Sequence, residues 1–223
     1  MTTSGSIDHS LTARQVVTFA LRKAKVIDTL NDPAAEEMRD GLLDLNLMLK
    51  SWQTDSGPNL WRQTFGSMAL VAATASYVLT PRPFRLIEAR YRNASGIDLE
   101  MIELTRQEYA AISQKTASGT PTQFYLDRQA ASSTLYVWPV PASVTTETIQ
   151  YTYQRVIEDI DAAANDLDIP QEWLETVGYN LAYRLSGSYG SFDKELGVIA
   201  SGLLADAKDS DRESIVRFTV ERY

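Results

Sequence analysis

The spacing of apolar residues changes twice along this chain, from the helical period to the strand period near residue 64, and back again at Pro170. The element order is therefore two helices, a β-rich insertion, two helices and a tail. Helical pairs that flank an insertion can pack into one bundle, leaving the β domain to project from it. At 223 residues the chain is long enough to bury a substantial core.

Residues 1–10 are polar and are expected to be flexible. Thr12 and Gln15 have capping-box spacing, and Val16, Val17, Ala20, Leu21 and Ala24 follow on one helical face. Asn31, Asp32 and Pro33 break and restart the chain. Asp32 can cap a second helix there, and Pro33 suits its first position, where a missing N–H goes unused. Met38, Leu42, Leu45, Leu49 and Trp52 form the apolar stripe of that helix, which is predicted to end near Ser56-Gly57-Pro58. The two helices should make an antiparallel hairpin.

Ser67–Val71 and Tyr77–Leu79 read as short strands around a small-residue turn. Leu86–Arg92 and Ile97–Leu104 flank the hairpin turn Asn93-Ala94-Ser95-Gly96. Thr105 and Glu108 repeat the capping-box spacing and predict a short helix over Arg106–Ser113. Gln123–Asp127 and Thr134–Trp138 form a further hairpin. Ile149, Tyr151 and Tyr153 alternate with Gln150, Thr152 and Gln154, which predicts one buried and one wet face. Trp173, Val177, Leu181 and Leu185 mark a third helix, whose Gly178, Ala182 and Ser186 would permit close helix packing. A stop at Gly187–Gly190 precedes a fourth helix over Ser191–Lys208, with Phe192, Leu196, Ile199 and Leu203 as its apolar side. In the last segment Val216, Phe218 and Val220 alternate with Arg217, Thr219 and Glu221.

The expected fold is α+β: a four-helix bundle from residues 11–63 and 165–210, an inserted antiparallel β-sandwich or barrel at 64–164, and an extended C-terminal tail at 211–223.

Composition narrows the chemistry. With no Cys, a disulfide, thiolate nucleophile or Cys-ligated metal has no source, and one His, His9, cannot make a two-His metal site. No run of 18 apolar residues exists, so no membrane span is expected, and MTTSGSIDHS lacks the basic and apolar regions of a signal peptide. The net charge of −8 makes a poor non-specific DNA binder. Phosphate-loop, dinucleotide and zinc-protease motifs are missing, and Ser188 in Ser186-Gly187-Ser188-Tyr189-Gly190 is one residue out of the nucleophile-elbow pattern.

Four groups of residues are candidates for function. Glu158, Asp159, Asp161, Asp166 and Asp168 share one loop; a cation site is the sharper reading and a solvated linker the plainer one. Glu36, Glu37, Asp40 and Asp44 give the second helix an acidic face, read either as dipole complementarity and solvation or as a surface that repels DNA. Trp52, Trp61, Trp138 and Trp173 read as core or interface anchors. Glu172 and Glu175 beside Trp173 are the nearest approach to a catalytic acid–base pair.

Three stretches carry a family likeness: Val16–Lys23 followed by Leu42–Trp52; Gly119–Tyr125 with Leu135–Pro141; and Asp168–Trp173 leading to Asn180–Leu185 and Tyr189-Gly190. In order and spacing the chain resembles the head-to-tail adaptors of short-tailed phages, also called tail accessory factors or tubular tail proteins. The resemblance implies a dodecameric ring docked beneath the portal protein of a filled capsid, with the helical bundle as ring body and the β domain facing outward or toward the tail. It implies no cofactor. It implies a location at the neck between capsid and tail, after assembly in the host cytoplasm.

The expected function is thus a virion connector that extends the DNA channel and offers a platform to tail nozzle or fibre proteins. Double-stranded DNA would pass without sequence-specific binding. Val216, Phe218 and Val220 are the expected portal or intersubunit contact. Glu36, Asp40 and Asp44 are the expected channel-facing carboxylates. The alternatives are a virion-associated cell-wall hydrolase and a host-glycan-binding tail component with Tyr and Trp platforms.

Overall fold

The computed structural model describes residues 4–54, 60–144 and 146–212. In chain order these contain α1 (Ala13–Lys23), α2 (Ala35–Trp52), β1 (Gln63–Ala69), β2 (Ser76–Leu79), β3 (Arg85–Arg92), β4 (Asp98–Glu100) and β5 (Ile102–Glu103). Next come α3 (Arg106–Ala111), β6 (Ser118–Gly119), β7 (Gln123–Arg128), β8 (Ser133–Trp138), β9 (Val140–Pro141) and β10 (Thr148–Gln154). The order ends with α4 (Leu174–Ser188) and α5 (Lys194–Ser210). The chain is mixed α+β and divides into a helical unit, residues 1–61 with 157–223, and a β unit, residues 62–156.

The helical unit starts as its local chemistry dictates. Gln15 N–H donates to Thr12 Oγ1 at 3.4 Å and Thr12 N–H donates to Gln15 Oε1 at 2.9 Å, a complete capping box. The start of α2 departs from expectation. Its cap is Ala34, and Ala34 N–H donates to Glu37 Oε2 at 2.7 Å, so the carboxylate three residues inward does the capping. Pro33 lies outside the helix, and Asp32 turns instead toward Arg22 at 3.8 Å. Val16, Val17 and Leu21 of α1, Leu45, Met48 and Leu49 of α2, Val177, Leu181 and Leu185 of α4 and Leu196 of α5 share one buried cluster. Ile160, from the loop after β10, joins it.

Two glycines set the helix approaches. A Cβ at Gly41 would collide with the Val17 side chain, and one at Gly178 would lie 2.8 Å from the Phe19 ring. Gly178, Ala182 and Ser186 are all buried, as their spacing predicts for a close packing face. On α5 the buried line is Leu196, Ala200 and Ala207, with Leu203 half-buried. Phe192 and Ile199, expected on that side, are exposed; alanines take the inner positions because α5 lies close to α4, where Asn180 Nδ2 donates to Ala200 O at 3.0 Å.

The β unit holds two four-stranded sheets, ordered β1-β10-β3-β4 and β2-β8-β7-β5, and the short pair β6-β9. Leu86, Ala89 and Ile149 of the first sheet and Leu79, Phe124, Leu126, Leu135 and Val137 of the second share one buried cluster. The turn at residues 93–96 forms as predicted: Gly96 adopts φ 79°, and Asn93 Oδ1 accepts from Ser95 and Ile97 N–H. The capping box of Thr105 and Glu108 starts α3.

Pairing is less regular than strand spacing foretells. The ladders are mostly antiparallel, but β5-β7 and β6-β9 are parallel. β1 and β2 belong to different sheets, because the small residues between them carry the chain across. β10 is a central strand whose register shifts between Thr152 and Tyr153. Its polar side is therefore not simply wet: Thr152 and Gln154 are buried, and Thr152 Oγ1 donates to Glu88 Oε1 at 3.0 Å. At the end of β10, fully buried Arg62 donates through Nε and Nη2 to Arg155 O at 3.1 and 3.0 Å, tying the two ends of the β unit together.

Candidate assembly surfaces

The acidic face of α2 arises from sequence order alone. Glu36 and Glu37 sit in the first turn, where carboxylates complement the helix dipole, and Asp40 and Asp44 follow one turn apart. The fold adds Tyr189, the residue that caps α4. Burial and then the carboxylates of Asp40, Glu37, Asp44 and Glu36 push its phenol above the usual tyrosine range. Glu36, Asp40 and Asp44 recur at four-residue spacing along α2 and so share one negative flank of the helix. Asp40 also accepts from Arg39 Nε at 3.3 Å.

The same helix carries Leu43 and Leu47, 59% and 54% exposed and one turn apart. Sequence reasoning missed this pair. Residues 41–49 read GLLDLNLML, so leucines fall on every side of the helix and the outward ones are masked by the core stripe. The available signal was the placement of Leu43 and Leu47 off the stripe of Leu42, Leu45 and Leu49.

A groove runs along α1 and α4, with a volume near 1040 Å³. Its apolar wall includes Phe19, Leu174 and Tyr179, and its polar rim includes Arg14, Arg22 and Lys23. Lys23 Nζ lies 5.3 Å from the Phe19 centroid and 5.4 Å from that of Tyr179. Phe19 and Tyr179 meet edge to face at 5.5 Å. All charged side chains of α1 are cationic, although the chain as a whole is acidic.

The other candidates separate. Val216, Phe218 and Val220 lie outside the described residues. In the acidic loop, Asp159 pairs with Lys50, Asp168 Oδ2 accepts from Glu158 N–H at 3.0 Å, and Asp166 bridges to Thr12 through the backbone. Among the described residues no three His, Asp or Glu side chains converge to hold a metal, and no helix is long and apolar enough to cross a membrane. Glu172 and Glu175 are both exposed, one in the 3₁₀ turn Gln171–Trp173 and one in the first turn of α4. Trp173 is buried between Trp52, at 5.8 Å, and Trp61, at 6.4 Å. Trp138 donates Nε1–H to Gln114 O at 3.0 Å. Tyr109, Tyr125 and Tyr136 cluster with ring centroids 5.3–5.9 Å apart, Tyr125 stacked on both of the others, and all are half-buried, so they are packing groups more than open platforms.

What this molecule presents is contact area: an acidic helix face bearing leucines, and a cation-rimmed apolar groove. Such surfaces are the equipment of a structural protein. The model of the SU10 adaptor protein family matches residues 12–216, and the chain belongs to that family. It is a phage adaptor, a structural component of the virion. No curated protein matches the chain. Among solved structures, it is similar to a chain in the neck of an empty GTA particle, at 11% identity and TM-score 0.30, covering 78% of this chain and 80% of that one. It is also similar to a chain in the virion of a native gene transfer agent particle, at 12% identity and TM-score 0.32, covering 78% and 81%.

Proposed function

We propose that this adaptor forms a head-to-tail connector ring at the neck, docked beneath the portal, continuing the DNA channel and offering a platform to tail nozzle or fibre proteins. Membership of the SU10 adaptor family across residues 12–216 is the observation that carries this reading. In it, α1, α2, α4 and α5 act as a four-helix bundle that makes the ring body, and the two sheets act as a sandwich that faces outward or toward the tail. The net charge of −8 suits a conduit, because each phosphate neutralised by a basic lining adds affinity and slows passage.

The patch of Glu36, Asp40 and Asp44 has two possible places in such a ring, the channel wall or the joint between subunits. Leu43 and Leu47 beside it favour the joint, since a DNA-facing wall gains nothing from leucine. The tail residues Val216, Phe218 and Val220 are assigned to contact with the portal or a neighbouring subunit, through backbone hydrogen bonds and alternate side-chain anchors.

Removing residues 211–223 tests the reading. The shortened chain should keep its helical circular-dichroism signal and be lost from the necks of particles assembled with it. Normal incorporation of the shortened chain would refute the role of the tail. Imaging of particles with the intact chain that finds no ring of it at the neck would refute the function itself.

A further inference from the structure

Gly41 fixes how α2 is turned. Its missing side chain makes room for Val17 of α1, so the opposite face of α2 points away from α1. That face carries Glu36, Arg39, Leu43 and Leu47, all exposed, with exposed Asp40 and half-buried Asp44 along its flank. On α1, Gln15, Phe19 and Arg22 lie opposite Val17, and all three line the groove. The α2 ridge and the α1–α4 groove therefore open on opposite sides of the helical unit.

The two surfaces are complementary in charge. On α2 the acids Glu36, Asp40 and Asp44 outnumber the cations Arg39 and Lys50, which are already engaged with Asp40 and Asp159. The groove is concave and apolar at its floor. Asp32 on its rim is engaged with Arg22, which leaves Arg14 and Lys23 to face incoming carboxylates against Glu175 alone. Ridge repels ridge, so a two-fold contact through α2 is disfavoured, whereas ridge on groove is attractive.

We propose that the α2 ridge of one copy seats in the α1–α4 groove of the next, with Leu43 and Leu47 against Phe19 and Tyr179. This rests on the ring reading. Unlike surfaces on opposite sides of a subunit repeat head to tail and form a ring when the rotation between copies closes.

The absence of cysteine in the chain makes a direct test available. Particles are assembled with double variants that pair Leu43→Cys or Leu47→Cys with Gln15→Cys or Lys23→Cys, and treated with a flexible bismaleimide. At least one pairing should give a ladder of multimers, while each single variant stops at dimer or below. Imaging of the same particles separates the two ways to fail. Rings present at the neck with no ladder from any pairing overturn the seating and leave the ring standing. No multimer of any kind, and no ring, overturns both. A second measurement does not depend on cross-linking. Leu43→Asp with Leu47→Asp, at exposed positions, should keep the circular-dichroism spectrum and reduce incorporation into particles at least tenfold. Incorporation at the unsubstituted level overturns the proposal.

Discussion

The helical unit and the β unit leave different things exposed. Both bury a continuous cluster of aliphatic side chains. On the helical unit the exposed leucines Leu43 and Leu47 stand in line along one helix and share it with charge. On the β unit the exposed apolar residues are scattered, and several sit on edge strands: Phe65 on β1, Val78 on β2, Leu99 on β4 and Ile102 on β5. Three of these edges are only two to four residues long, which limits pairing with a stray strand. A line of apolar groups beside like charges specifies an orientation for a partner; single groups on short edges do not. Under the proposed ring, the contrast assigns subunit contact to α2 and leaves the β unit to other roles.

The largest effects should come from the cores and should separate the units. Leu181 and Leu135 are both fully buried, one in each cluster. Leu181→Ala and Leu135→Ala should each cost about 2–5 kcal/mol by loss of burial and the cavity left behind. Trp52, Trp61 and Trp173 lie in the helical unit and Trp138 in the β unit. In a Trp138→Phe background, fluorescence during denaturant unfolding reports the helical unit alone. If the units unfold separately, Leu181→Ala shifts that signal and Leu135→Ala does not. Equal shifts from both would show that the two units unfold as one and would remove the energetic side of the comparison.

Glycines give a mid-sized test within the helical unit. Gly41→Ala forces a methyl into stiff, β-branched Val17 and should destabilise by about 1–3 kcal/mol. At Gly202 on α5 a Cβ meets nothing within 4 Å. Gly202→Ala should therefore stabilise by about 0.5–1 kcal/mol, through helix propensity. Thermal unfolding of the two variants should move in opposite directions. A destabilising Gly202→Ala would mean that the site already packs against something in the isolated protein.

Local features were legible in the sequence because their chemistry spans only a few residues. The capping boxes at Thr12 and Thr105, the Asn93–Gly96 turn and the stop at Gly190 are all of this kind. Partnerships across the chain were not legible. Nothing in residues 67–79 says that β1 pairs with β10 and β2 with β8, because pairing is set by which edges remain open after collapse. The buried side of α5 was misread where alanine, not a larger residue, faces the core. The carboxylates of α2 were visible as a face; the leucines that give it meaning, and the groove that complements it, needed the fold. Phe19 and Lys23 look like ordinary helix residues until Gly178 and Tyr179 are brought beside them.

The smallest effects concern pH, and they too fall one to each unit. Asp193 caps α5: Lys25 Nζ donates to Oδ2 at 3.1 Å, and Glu195 and Leu196 N–H donate to Oδ1. The Lys25 hydrogen bond first, and these backbone donors next, hold its carboxyl below the usual aspartate range. In the β unit Asp98 is lowered likewise, first by hydrogen bonding from Arg92 Nε and Nη2, at 2.6 and 2.7 Å. A depressed carboxyl binds its proton more weakly in the folded state. It therefore contributes stability above its unfolded value, about pH 4, and that contribution is lost as pH falls through the lower folded value. Asp193→Asn should lower the thermal midpoint near neutrality and flatten its fall below about pH 4. Asp98→Asn should flatten the curve less, because Asp193 satisfies orphan helix N–H groups in addition to its ion pair, whereas Asp98 is held by hydrogen bonds from Arg92. A steeper acid transition in either variant would contradict the sign, and a larger effect at Asp98 would move the pH-sensitive contact from the helices to the sheet.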